Sequence, residues 1–347
     1  MNKWLPLAIV LVALIYSGNK LIERPMDESF DLNTFASLPV VHGGRVKPMD
    51  SLAGHLMLAI SDRRYYLDDA GERQPAVRFM LDAMTKLIGN RAAMSHQVFR
   101  IDNQDLLDAL GLPQRKRFRY AFEEFVERLP ELNRQVVAAG ALDRENRSLF
   151  QQKALELADQ IYLYTQMVEW QEPRAIPPAD ESQTWRTFFE VAHGGEAAAN
   201  RDEAGAAFGR ILKAWEAGDA EAFNDNVATF HRIVSEWIPE ESAKANLEHR
   251  FNDVRPFVMA NGFYIAAFLL VTFGWLFRFQ PLLRSAAWLT VLTLAIHTLA
   301  LAARMYLQGR PPVTNLYSSA VFIGWGAVLA AMVLERSEER RVGKECA

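Results

Sequence analysis

The sequence predicts a mainly α, polytopic membrane protein that carries a large helical extracytoplasmic domain. Three observations support this. Charged side chains nearly vanish over residues 256–334, whereas the stretch before it is rich in them. Apolar residues in that earlier stretch recur at helical spacing. Charge is also segregated: residues 4–255 hold 29 basic and 38 acidic groups, and the residues after 255 hold eight Lys/Arg and four Asp/Glu. An acidic segment of this kind argues against nucleic-acid binding, which needs a basic face.

The first apolar run, residues 4–16, follows Lys3. It is shorter than the roughly 20 helical residues that cross a bilayer. It reads as an N-terminal anchor over residues 1–18, or as the apolar part of a signal peptide. No clear small-x-small cleavage site follows it. Three later runs are long enough to cross, at 257–277, 285–303 and 316–334. Phe257, Trp275, Trp288, Tyr306 and Tyr317 sit at or near their ends, where an apolar ring body and a polar edge are both satisfied.

Lys3, Arg278, Arg284 and the cations of the tail at 335–347 fall on one side if four crossings are counted. That side is expected to be cytoplasmic, which puts residues 19–255 outside the inner membrane and both termini inside. Arg304 and Arg310 fall outside, against the rule, and so invite a functional reading.

Residues 19–255 read as helices joined by short turns. Phe118, Phe122, Phe125, Val126, Leu129 and Leu132 form one stripe, and Leu149, Ala154, Leu157, Ile161, Tyr164 and Met167 another. Asp102 is a candidate cap for a short helix that ends near Gly111, with Asp105 in its first turn. Residues 98–101 are the best strand candidate. A proline-bearing linker is expected at 172–182. Beyond it, Phe208, Ile211, Leu212 and Trp215 mark one helix, and Phe223, Val227, Phe230, Ile233 and Val234 the next. The single cysteine, Cys346, rules out an intrachain disulfide and a CxxC pair. The sequence contains no P-loop, GxSxG, HExxH or Rossmann fingerprint, and no catalytic residue is assigned.

Two motifs stand out. The first, LPVVHGGRVKPMDSLA at 38–53, has Gly43 and Gly44 at a turn. Arg45 and Lys47 are one residue apart and face the same way in an extended segment. Asp50 or Ser51 is a candidate cap for a helix from about Leu52. A basic surface turn ahead of a helix is the plain alternative. The second, GRPPVTNLYSSAVFIGWG at 309–326, is a proline-stiffened loop running into a membrane helix, with Thr314 or Asn315 as its cap. Ser318 and Ser319 let helices approach closely. Here the plain alternative is a simple helix entry.

Together these motifs resemble the cytochrome c biogenesis proteins of the CcsA/ResC type, in the variant with a large exported domain ahead of the CcsA-like membrane block. The likeness rests on Gly44, Arg45, Val46, Lys47, Pro48, Asp50, Leu52 and Ala53, and on Gly309, Arg310, Pro312, Asn315, Leu316, Tyr317 and Ser319. Leu247, Glu248, Phe251, Asn252, Pro256 and Phe257 also look like the family's run into the membrane. Ser318 departs from it, since many members carry Glu there. The family's tryptophan-rich WWD loop and flanking histidines are not in this sequence. Residues 336–346 resemble a translated sequencing adapter, so a chain truncated before the WWD loop is expected.

The resemblance implies a factor that handles haem for delivery to the thiols of apocytochrome c at the outer face, alongside ResB/CcsB-like subunits. Within 285–303, His297 is an ionisable group at membrane depth, a costly position that points to function. Its imidazole is a candidate haem ligand. Arg304 lies seven residues on, about 10 Å along the same face, and is placed to meet a haem propionate, with Arg310 for the second. A hydrogen bond from His297 to Thr293 or to a neighbouring helix is the structural alternative. His42, beside Arg45 and Lys47, is a second candidate. The rival function is a membrane sensor or receptor whose exported helical domain binds a ligand. A transporter subunit would instead show paired broken helices at the midplane.

Overall fold

The computed structural model describes residues 4–178, 184–194 and 202–345, the last ten by backbone alone. Lys3, Cys346 and the last part of the expected linker lie outside the described residues. The chain divides into two units, one of Pro25–His249 and the other joining Met1–Arg24 to Arg250–Ala347. The mainly α expectation holds in both.

Helix α1 is Leu5–Lys20. The unit Pro25–His249 opens with α2 (Leu32–Ser37), the hairpin β1 (Pro39–His42) and β2 (Arg45–Pro48), and α3 (Met49–Ser61). A second hairpin, β3 (Tyr65–Leu67) and β4 (Arg73–Pro75), leads to α4 (Ala76–Met84) and α5 (Ala92–Ser95). Then come β5 (Phe99–Arg100), α6 (Gln104–Leu110) and β6 (Arg119–Tyr120), with β5 and β6 paired antiparallel. Helices α7 (Leu129–Gly140), α8 (Leu149–Val168), α9 (Phe188–His193), α10 (Glu203–Ala217) and α11 (Ala220–Trp237) follow. Helices α12 (Pro239–Val254), α13 (Pro256–Leu276), α14 (Gln280–Gln308) and α15 (Leu316–Glu345) come last.

The helical stripes of α8, α10 and α11 bury one aromatic-rich core. Phe208, Phe223, Phe230, Ile211, Val227 and Val234 are fully buried, and Tyr164 and Met167 nearly so. Leu149 is the exception, with 64% of its surface exposed at the start of α8. Ser148 caps that helix in a reciprocal pair with Gln151, which satisfies two free amides of its first turn.

The stripe from Phe118 is not one helix. Phe118 has φ +51°, Arg119 and Tyr120 pair as a strand, and two short 3₁₀ turns at Phe122–Glu124 and Val126–Arg128 precede α7. Three-residue and 3.6-residue periods bring nearly the same residues to one face over so short a stretch, so Phe122 and Phe125 reach the core by either route. The bidentate pair of Arg115 with Glu124 holds this turn. Asn103, not Asp102, caps α6, accepting from Leu106 N. Asp102 instead pairs with Arg100 and Lys153.

The expected linker is packed over its first half. Arg174 bridges Val41, Ile176 bridges Arg186, and Ala175 and Ile176 are buried.

Among the described residues three helical stretches are long and apolar enough to cross a membrane: Pro239–Leu276, Gln280–Gln308 and Leu316–Glu335. The first is two helices, because Arg255 takes φ +50° and Pro256 starts α13 afresh. The apolar part is α13. Leu5–Lys20 is a shorter apolar helix. Within this unit α14 packs against α1 and α13, with Ala13, Ala267 and Leu289 at the buried centre. Gly274 belongs to this contact, since a Cβ there would come within 2.6 Å of Leu283. The apolar run does not end the last helix at 334, as the backbone of α15 continues helical through the charged stretch to Glu345.

Candidate functional site

The first motif folds as the β1–β2 hairpin. Gly43 and Gly44 have φ +61° and +77°, which a two-residue hairpin turn with a left-handed pair requires and other residues resist. Pro48 then ends the strand, Met49 N donates to Leu38 O, and α3 starts at Met49. The helix therefore begins three residues earlier than its sequence suggested, with Asp50 in its first turn and no side-chain cap. Asp50 Oδ2 lies 2.9 Å from His249 Nδ1 instead. Burial raises the Asp50 carboxyl above its ordinary value, against the lowering that His249 exerts.

Arg45 makes a bidentate pair with Glu248, at 2.6 and 2.8 Å, and Ser51 Oγ adds a hydrogen bond to the same carboxylate. The pair raises the Arg45 guanidinium above its usual value. Lys47 shares the strand face. Burial, then repulsion from Arg45, lowers its ammonium. His42 Nδ1 lies 3.4 Å from Glu172 Oε1, and its ring centre is 6.0 Å from that of His55.

The second motif opens α15. Asn315 Oδ1 accepts from Ser318 N at 2.7 Å, so Asn315 is the cap. Gly309 ends α14 with φ +61°, and Arg310 and Asn315 are exposed while Pro312 and Ser319 are half-buried. Tyr317 lies with its ring centre 5.9 Å from the Arg304 guanidinium. Trp325 Nε1 donates to Thr298 Oγ1 at 2.8 Å, tying α15 to α14.

His297 is 6% exposed. Thr293 is not its partner, because Thr293 Oγ1 donates to Leu289 O. The partner is Tyr264 of α13, whose hydroxyl is 3.4 Å from His297 Nδ1. The other ring nitrogen, Nε2, is buried with no hydrogen-bond partner among the described residues, as is Arg304 Nε. Phe257 stands between the two residues, with its ring 5.8 Å from the imidazole and 5.9 Å from the guanidinium. Ser318 is also buried, and its Oγ has no partner.

The structure thus brings His297 and Arg304 together around Phe257, with Tyr317 on the Arg304 side. His42, Arg45, Lys47, Pro48 and Asp50 belong to the other unit. Sequence reasoning did not find Tyr264. The available signal was its spacing of seven from Phe257, which puts both rings on one face of α13. Asp50 and His249 were likewise unpaired in the sequence, being 199 residues apart.

The fit of a haem to His297 and Arg304 can be judged on these atoms. A buried imidazole nitrogen without a hydrogen-bond partner is the donor an iron takes. A guanidinium nearby suits a carboxylate. Among the described residues no group of three or more His, Cys, Asp or Glu side chains could hold a metal ion by itself, so the porphyrin would provide the other iron ligands.

No family model matches the chain. It is 26% identical over 312 residues to Protein NrfI of Wolinella succinogenes, an alignment covering 84% of this chain and 33% of that protein. The chain therefore spans about a third of the length of the curated relative it matches.

Proposed function

We propose that this chain is a cytochrome c biogenesis factor that handles haem for delivery to apocytochrome c at the outer face of the inner membrane, beside ResB/CcsB-like maturation subunits. One observation carries the reading: His297 buries an imidazole nitrogen that no group among the described residues satisfies, next to Arg304 and the second motif. The likeness to Protein NrfI fits cytochrome c biogenesis in general.

In this reading Nδ1 carries the imidazole proton and donates it to the Tyr264 hydroxyl, which leaves the Nε2 lone pair for iron. Arg304 pairs with one propionate, and exposed Arg310 with the second. Bound haem would supply a redox-active iron and is itself the cargo. Arg45 has a structural part, because Glu248 already occupies its fork. His42 stays a second haem contact of the proposal, at the hairpin tip. The same reading puts residues 19–255 outside the cell membrane, since Arg278 and Arg284 mark the inner side.

The test is a haem titration of the purified chain in detergent. The wild type should take up haem with a Soret band characteristic of a histidine ligand. His297→Ala should lose most of that absorbance, and Arg304→Ala should weaken binding less. Unchanged haem content in His297→Ala removes the assignment. Topology reporters that place residues 60–250 in the cytoplasm remove the delivery role.

A further inference from the structure

The unit Pro25–His249 has a polar pocket of its own, away from the hairpin motif. It is about 260 Å³ in volume and is lined by β3, the turn after it, the segment around His96 and the approach to β6. Three arginines line it: Arg63, Arg117 and Arg119. Among the described residues none of the three takes part in an ion pair. Asp62, the acidic neighbour that acts on Arg119, pairs with Arg100 at 3.0 Å.

Arg119 is the informative one. It is 8% exposed, at the start of β6. Nη1 donates to Ser61 Oγ at 2.6 Å and Val98 O at 3.1 Å, and Nη2 to Ser61 O at 2.6 Å. Its Nε is buried without a hydrogen-bond partner among the described residues. These neutral acceptors fix the group in place but do not neutralise it. A buried charge without a counter-ion is unfavourable, and here it sits beside two more cations. Asp68 and Asp69 also line the pocket. Asp68 is engaged by Gln74 Nε2 at 2.7 Å and Glu72 N at 2.8 Å, which hold it to the β3–β4 turn. His96 joins the wall with Nε2 fixed 2.9 Å from buried Asp82, whose other oxygen accepts from Trp215 Nε1. The Tyr66 ring packs 4.4 Å from the imidazole. Three arginines against two aspartates leave the wall with an excess of positive charge, and its His96 side is held in place.

We propose that this pocket binds a small anion carrying a phosphate or carboxylate group, held by Arg63 and Arg117 from the rim and by the field of Arg119 from below. The volume admits a metabolite-sized oxyanion and is too small for a porphyrin, so this site is separate from the proposed haem contact and independent of it.

Calorimetric titration of the full chain in detergent, at constant ionic strength held with chloride, tests it. The probes are inorganic phosphate and succinate, in separate runs. Saturable binding of at least one probe is expected. The double variant Arg63→Ala/Arg117→Ala, which alters exposed and half-buried rim groups only, should weaken that binding at least tenfold without changing the far-ultraviolet spectrum. Arg119→Lys keeps the charge and loses the fork, and should give an intermediate loss. Absence of saturable binding by either probe overturns the proposal. So does binding in the double variant equal to wild type.

Discussion

Each unit buries a histidine, and the two are treated differently. His249 in Pro25–His249 is 2% exposed and meets the Asp50 carboxylate at 2.9 Å. His297 in the apolar unit is 6% exposed, meets only a phenol hydroxyl at 3.4 Å, and leaves Nε2 unpartnered. The aromatic rings show the same division. Phe99 is fully buried, whereas Phe268 is 68% and Trp275 75% exposed. One unit hides its core rings from water and gives its buried histidine a carboxylate partner. The other turns its rings outward, as lipid-facing helices do, and keeps a few polar atoms in reserve. An unsatisfied imidazole in an otherwise apolar bundle is the feature that packing does not explain.

The contrast can be broken by substitution. Phe99→Ala should destabilise its unit by about 4 kcal/mol, because the cavity cannot collapse among Phe122, Phe125 and Tyr164. Phe268→Ala in the apolar unit should cost under about 0.5 kcal/mol in detergent. Urea unfolding followed by tryptophan fluorescence measures both, and equal costs would erase the division.

Glu248→Ala removes the partner of a guanidinium that is two-thirds covered. Roughly 3 kcal/mol should be lost, and Glu248→Gln should recover part of it through the amide oxygen. The same unfolding curves report the result. A neutral effect would mean that the hairpin is not pinned to α12 through Arg45.

The smallest effect is a pH slope. Burial, with help from Lys47 and His42, lowers the His55 imidazole below its ordinary value. Above the unfolded value near 6.5 the imidazole is neutral in both states. As pH falls through that value the unfolded chain takes up the proton first, so stability falls with it. The slope should be shallow because His55 is exposed on α3. His55→Gln should flatten it between pH 7.5 and 5.

How far the sequence could be read depended on the range of the interaction. The stripes of α10 and α11 were legible because each helix carries its own apolar face. The membrane helices were legible because apolar length alone marks them. Asn315 was one of two caps foreseen for α15, since capping acts over three residues. The Gly43–Gly44 turn and the extended segment after it were foreseen, but not their pairing as β1–β2, and β3–β4 was not foreseen: strands of three or four residues carry too little alternation to register. The Phe118 stripe misled because short helical and 3₁₀ periods coincide. In the candidate site, His297 and Arg304 were visible from residue type at membrane depth. Tyr264 and the Arg45–Glu248 pair depend on contacts 33 and 203 residues apart, and no local pattern encodes those.

Chemical rescue is the most direct test of the imidazole. His297→Gly in detergent, titrated with haem, should lose the histidine-type Soret band and regain it when free imidazole is added, since the vacated space faces the same nitrogen position. Retention of the wild-type band in His297→Gly without imidazole would contradict ligation by His297 and reduce this residue to a helix-packing contact with Tyr264.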